Sequence, residues 1–173
     1  GTGRQGTAAL YDLIMFSNAS SILLIDSNNE SIENCIKMID DSILDKIKIH
    51  YEVADITNKE RIFELLEPID IMLSSVPYQF NLMLTEIAIK SQTSMVDLGG
   101  HTQNVINQLN YNDKAIEKNI SIVPDCGMGP GMNISMALLA MEQLDVPQDV
   151  YIWDGGLPQK PKAPWNYSLF FNI

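Results

Sequence analysis

An open α/β fold, with helices on both faces of a parallel sheet, is predicted by three observations. Apolar strand-like runs alternate with helix-like stretches along the whole chain. Gly1, Gly3 and Gly6 form a G-x-G-x-x-G pattern directly ahead of an amphipathic stretch, Ala8 to Ile14. Asp26 closes the next apolar run, Ser21-Ile22-Leu23-Leu24-Ile25, at the spacing of about 20 residues expected between a glycine turn and a ribose-binding carboxylate. Together these read as a Rossmann-type dinucleotide-binding unit. Gly1 makes the tight turn, Gly3 admits a pyrophosphate, and Gly6 lets helix and sheet pack closely. The alternative, a glycine turn followed by a surface Asp, leaves the order and spacing unexplained.

A fingerprint of this kind follows a strand, and the sequence shows none before Gly1. The chain therefore reads as a fragment whose doubly wound parallel sheet lacks its first strand. Its last residues, Tyr167 to Ile173, stop inside an apolar run, which reads as a second cut. In the strand order 3-2-1-4-5-6, residues 21–26 and 69–74 would flank the absent strand, roughly 10 Å apart.

Composition narrows the function classes. At 173 residues the chain holds one domain, or one domain and part of another. A net charge of −11 argues against nucleic acid, whose phosphates require Lys and Arg. No apolar run reaches about 18 residues, so no membrane helix is expected. Cys35 and Cys126 have no metal-type spacing, and no metal site is expected; free thiols fit a reducing, cytoplasmic setting.

The elements follow in order. Ser27-x-x-Glu30 reads as a capping box opening a helix with Ile32, Cys35, Ile36 and Ile39 on one face. Residues 47–54 form the next strand, ending at Asp55-Ile56. Thr57-x-x-Glu60 reads as a second capping box, and Pro68 stops the helix it opens. Residues 69–73 are a strand, 81–90 a helix, 95–98 and 120–123 short strands, and 131–144 a helix rich in Met and Leu. Pro147 breaks that helix.

Ligands of such sheets sit beyond the carboxyl ends of the strands. Those ends are Asp26, Asp55-Ile56, Ser74 to Tyr78, Asp97 to His101, and Pro124 to Gly131. Glycines and ionisable residues gather in the last two. Asp97-Leu98-Gly99-Gly100-His101, then Pro124-Asp125-Cys126-Gly127-Met128-Gly129-Pro130-Gly131-Met132-Asn133, then Gly155-Gly156-Leu157-Pro158 with Pro161, Pro164 and Tyr167 behind it, resemble the saccharopine dehydrogenase-like family and most closely its L-lysine 6-dehydrogenase branch. The resemblance implies a cofactor-binding domain at 1–145, the start of a truncated second α/β domain at 146–173, and NAD(P)-dependent oxidation of an amine carbon in an amino-acid substrate. A homo-oligomer is expected at full length. Trp153-Asp154 departs from the residues that branch carries before its Gly-Gly pair, which leaves the substrate open.

Cofactor contacts are expected from Gly1, Gly3, Arg4, Gln5, Gly6, Asp26, Asp55, Ile56, Val76 and Pro77. Asp26, followed by Ser27, Asn28 and Asn29 without an Arg, favours NAD over NADP. Arg4 is either a phosphate contact or a solvated charge. His101 is the acid/base candidate, because imidazole titrates near neutral pH; the alternative is a loop His capping the next turn. Asp97 and Asp125 offer counter-charges to an ammonium, or else hold loops through backbone N–H groups. Cys126 reads as a lining thiol, since hydride transfer needs no covalent intermediate. Substrate contacts are expected from Tyr78, Gly100, Gly156 and Met132, the last through free N–H groups at a helix start. Tyr78 reads equally as a packed aromatic. The rival from another class is a non-catalytic NAD-sensing protein on the same fold.

Overall fold

The computed structural model describes residues 1–155, 159–160 and 162–163. Helix α1 (Arg4–Phe16) comes first, followed by β1 (Ser21–Asp26), α2 (Asn29–Lys37), a single turn α3 (Asp41–Leu44) and β2 (Lys48–Val53). Helix α4 (Lys59–Leu66), β3 (Ile71–Ser74), a 3-10 turn (Tyr78–Phe80) and α5 (Asn81–Ser91) continue the alternation. Then come β4 (Ser94–Asp97), α6 (Thr102–Leu109), α7 (Asn112–Glu117), β5 (Ile122–Val123) and α8 (Met132–Met141). Every strand pair is parallel, in the orders β1-β2 and β3-β4-β5. Among the described residues no ladder joins β1 to β3, so the hydrogen-bonded sheet divides between the two strands where the sequence places a break.

Period-two alternation explains the layers. Ile22 and Leu24 of β1 point to one face, where they meet Leu10 and Ile14 of α1 and Ile32 and Cys35 of α2. Leu23 and Ile25 point to the other, against Ile62 and Leu65 of α4 and Leu84, Ile87 and Ala88 of α5. Helices thus cover both faces, as a doubly wound fold requires. Each fully buried Leu or Ile stabilises this arrangement by about 1.5–3 kcal/mol. Cys35 is a packed core thiol.

The helix starts differ from the sequence reading by one residue. Asn28, not Ser27, caps α2 by accepting from Glu30 N–H, and Asn58, not Thr57, caps α4 by accepting from Arg61 N–H. The strand-end carboxylates cause the shift. Asp26 Oδ1 accepts from Asn28 N–H at 3.0 Å and Asp55 Oδ1 from Thr57 N–H at 2.8 Å, so each Asp closes a turn of its own before the helix begins. Helices α6 and α7 were not expected from the sequence. Helix α8 is apolar on every side, yet none of its residues is buried, and Leu73 and Val123 are also exposed.

Candidate active site

The glycine turn lies between the carboxyl ends of β1 and β3. Thr2, itself buried, donates its N–H to Asp26 Oδ2 at 2.7 Å and its hydroxyl to the same oxygen at 3.1 Å. The Ser75 hydroxyl donates to the Gly1 carbonyl at 2.7 Å. Close approach explains two of the glycines. A Cβ on Gly1 would sit 2.8 Å from the Ser75 carbonyl oxygen, and one on Gly6 would overlap the Gly1 carbonyl oxygen. Gly3 is the opposite case, with no atom within 4 Å of its added Cβ. It is the N-cap of α1 and supplies no side-chain cap, and the first helical bond runs from Thr7 N–H to Gly3. The N–H groups of Arg4, Gln5 and Gly6 therefore face an open approach at a positive helix end, which fits a pyrophosphate. Arg4 and Gln5 are exposed in this first turn.

Asp26 does more than the sequence suggested. Burial opposes its ionisation, but the bonds from Thr2 N–H, Asn28 N–H and the Thr2 hydroxyl together outweigh burial and hold the carboxyl below the usual range. It stands as a carboxylate that ties the turn to β1 while remaining half-exposed. Asp55 is exposed at the end of β2 and is likewise held below the usual range by the Thr57 N–H and hydroxyl. Ile56 beside it packs against the Ala54 core. After β3, Val76 packs on that same core and lies 3.3 Å from an added Gly1 Cβ, while Pro77 is exposed at the start of the 3-10 turn.

Tyr78 connects this half of the site to the loop after β4. Its ring stacks on His101 with centroids 5.1 Å apart and planes 9° from parallel. Its Cβ lies 3.4 Å from an added Gly100 Cβ, and its carbonyl accepts from Asn104 Nδ2 at 3.0 Å. His101 is exposed and caps α6, with Nδ1 accepting from Asn104 N–H at 3.4 Å. With Nδ1 accepting, the neutral ring carries its hydrogen on Nε2, which is a donor. Gly99 and Gly100 have φ of +71° and +118°, and the Asp125 carboxylate lies against Gly99 so closely that a Cβ there would overlap it.

The two acidic candidates part ways. Asp97 is fully buried: Oδ1 accepts from Gly99 N–H at 2.8 Å and Asp125 N–H at 3.4 Å, and Oδ2 from Gln108 Nε2 at 2.7 Å. It does not face an amine; of its two readings, loop-holding is the one the geometry supports. Asp125 is half-exposed, in left-handed backbone at φ +61°. Burial first, and the Asp97 charge second, push its carboxyl above the usual range, against one bond from Gly100 N–H. Burial and the same two carboxylates push the Cys126 thiol up, so it is not an activated nucleophile.

Met132 requires a correction. Its N–H donates to the Gly127 carbonyl at 2.8 Å and Asn133 N–H to Met128 at 3.0 Å, so the start of α8 does not offer the free donors expected there. The loop folds back on its own helix and consumes them. Gly156, with Leu157, Pro158, Pro161, Pro164 and Tyr167, lies outside the described residues. Thr2, Ser75, Asn104 and Gln108, which hold these loops through hydrogen bonds, were not singled out by the sequence reading. A cavity of about 590 Å³ lined by Glu67, Asp70, Lys90 and Asn119 opens at the amino ends of β3 and β4, remote from these loops.

Residues 1–123 match the family described as saccharopine dehydrogenase NADP binding domain. The chain belongs to this family. It is thus an NAD(P)-binding domain of an oxidoreductase family. Among solved structures the fold is similar to that of apo histidine-tagged saccharopine dehydrogenase (L-Glu forming) from Saccharomyces cerevisiae, with a TM-score of 0.62 at 15% identity. That alignment covers 83% of this chain and 29% of the yeast enzyme, so the chain spans less than a third of that structure's length.

Proposed function

We propose that this chain is the cofactor-binding part of an NAD-dependent amino-acid dehydrogenase that oxidises a carbon bearing a primary amine, as in the lysine 6-dehydrogenase branch. The observation that carries the reading is one contiguous series of contacts. It runs from Gly1 to Ser75 and Val76, on to Tyr78, and through the Tyr78 stack to His101 and Gly100, beside Asp125. A nucleotide end and an ionisable end are joined along a single sheet edge.

A bound NAD would supply the hydride acceptor for the amine carbon. The ammonium loses a proton in the same oxidation, so the protonated primary amine and NAD⁺ give the protonated imine, NADH and one free proton. His101 takes that proton on Nδ1, the nitrogen with the lone pair, by releasing the Asn104 N–H it holds in the resting site. Asp125 supplies the counter-charge to the ammonium. Tyr78 fixes the imidazole plane, Asp97 holds both loops, and the α1 N-terminus with Gly3 seats the pyrophosphate. Asp26 favours NAD: a carboxylate accepts from a ribose hydroxyl and repels a 2′-phosphate, and Ser27, Asn28 and Asn29 supply no cation.

A saccharopine-type reaction on a secondary amine is the second reading, favoured by the family match and the yeast structure. Cofactor reduction by the full-length protein, followed at 340 nm with L-lysine and with saccharopine, separates the two. Turnover of L-lysine with NAD supports the primary reading, and turnover of saccharopine alone replaces it. Tight NAD binding with no turnover on any amine would establish a sensor instead.

A further inference from the structure

Beneath the loops runs a buried polar chain that the proposed chemistry does not explain. Gln108 on α6 is 2% exposed, and its Nε2 donates to Asp97 Oδ2 at 2.7 Å and to Thr85 Oγ1 at 3.0 Å. Thr85, fully buried on α5, donates its own hydroxyl to the Asn81 carbonyl at 2.9 Å, which leaves its lone pair for Gln108. Gln108 Oε1 is buried without a partner among the described residues. Such an orphan costs about 1–3 kcal/mol, so an apolar side chain of the same volume would pack here at lower cost. What only the amide supplies is a donor to Asp97 Oδ2. Turning the amide over would set Oε1 against a carboxylate.

We propose that Gln108 is a positioning residue that acts through Asp97 on Asp125. The inference rests on the reading of the 98–101 and 124–127 loops as the wall that meets the substrate amine. Thr85 orients the Gln108 amide, and the amide donates to Asp97 Oδ2 in a site closed to water. Asp97 then does two things. It draws Gly99 and Asp125 N–H groups to one oxygen, which sets the two loops against each other. It also places a fixed negative charge beside Asp125, which adds to burial in favouring the protonated carboxyl there. Without the Gln108 donor, Asp97 Oδ2 is an uncompensated buried oxygen, and the carboxyl is no longer fixed against the Gly99 and Asp125 N–H groups. The groups around Asp125 are Asp97 from β4 and Cys126 on its own loop, with the Gly100 N–H as donor and His101 next along the chain.

The test is a carbon-13 carboxyl titration of Asp125 in the full-length protein, read in wild type, Gln108→Leu, Gln108→Met and Asp97→Asn. Loss of the Asp97 charge should weaken proton binding at Asp125 by about tenfold, one pKa unit, with part of the upward displacement surviving because burial remains. Asp97→Asn and the Gln108 variants should agree in direction, and Thr85→Val, which only frees the amide, should move it less. An Asp125 titration unchanged in folded Gln108→Leu or Gln108→Met overturns the proposal. If neither folds, Thr85→Val decides: an unchanged titration there overturns it as well. The titration needs no substrate, so it stands apart from the proposed function. A shifted titration with an unmoved pH–rate profile supports the positioning role and counts against Asp125 as the amine's counter-charge.

Discussion

Replacing Gly3 and Gly6 one at a time by Ala separates cofactor approach from folding within a single turn. Gly3 has extended backbone, φ −64° and ψ −166°, which Ala adopts without strain, and its added Cβ meets nothing within 4 Å. Ala is a poorer N-cap than Gly by roughly 0.5–1 kcal/mol, but it loses less chain entropy on folding by about 0.4–1 kcal/mol. The two nearly cancel, so Gly3→Ala should leave Tm within about 4 °C of wild type. Its methyl nevertheless occupies the face a pyrophosphate must approach, and affinity for NADH should fall at least tenfold, about 1.4 kcal/mol. Gly6→Ala behaves oppositely. Its Cβ overlaps the Gly1 carbonyl oxygen and lies 3.1 Å from the Ser75 Oγ that donates to that oxygen. Overpacking of this kind costs about 1–3 kcal/mol, against a helix gain of about 1 kcal/mol from Ala over Gly. A net loss of up to about 2 kcal/mol should lower Tm by up to about 8 °C. Calorimetry and NADH fluorescence titration of the full-length variants read both quantities. Gly3→Ala binding NADH with wild-type affinity at an unchanged Tm would refute the turn as the pyrophosphate seat.

Asp26→Ser with Ser27→Arg should move preference toward NADP but weaken both cofactors, because the tie to Thr2 goes with the carboxylate; wild-type NADP preference in kinetics would show the Asp26 reading to be mistaken. His101→Ala should lower kcat by about 10² to 10⁴ with NAD affinity nearly unchanged, and an unaltered rate would leave His101 a cap only. Asp125→Asn keeps the Gly100 bond and tolerates left-handed backbone. Since the folded Asp125 holds its proton to higher pH than the unfolded chain does, its ionisation lowers stability as pH rises past about 4. The Asn variant should therefore have the higher Tm at pH 7 and lose that advantage below pH 4; equal Tm at both pH values would contradict the raised carboxyl. Cys126 should react with iodoacetamide at pH 7.5 more slowly than free cysteine, as its raised thiol requires.

Local patterns carried the fold but only part of the site. Alternation at Ile22 to Ile25 reveals both faces of β1, because a period of two is a property of neighbours in sequence. The capping residues slipped by one because Asp26 and Asp55 compete for the same N–H groups, a contest that Ser27-x-x-Glu30 and Thr57-x-x-Glu60 do not display. Helix α6 is capped by His101, without the Ser, Thr, Asp or Asn that announces a helix start in sequence. With it went Gln108, and so the reason Asp97 is buried. Met132 misled for a related cause: whether a helix start is free depends on where the preceding loop folds, and that loop turns back through Gly127 and Met128. Asp125 beside Gly99 is a contact between loops 26 positions apart, which no spacing rule encodes.

The glycine turn has a mechanical meaning beyond recognition. Thr2 is bonded to Asp26 at the end of β1, and Gly1 to Ser75 just past the end of β3, while among the described residues the two sheets share no ladder. Leu23 and Ile25 join the halves by apolar contact, which is non-directional and tolerates sliding. The turn is one place where directional bonds reach both, as α4 is another, through Arg61 to Glu52 and Thr93 to Leu66. A pyrophosphate seated on the turn, as proposed, would work as a rivet: it would stiffen the halves against each other as well as occupy a seat. Cofactor affinity and the shared rigidity of the two sheets are then one coupling, readable from either side, in hydrogen-exchange protection at β1 and β3 or in the binding isotherm.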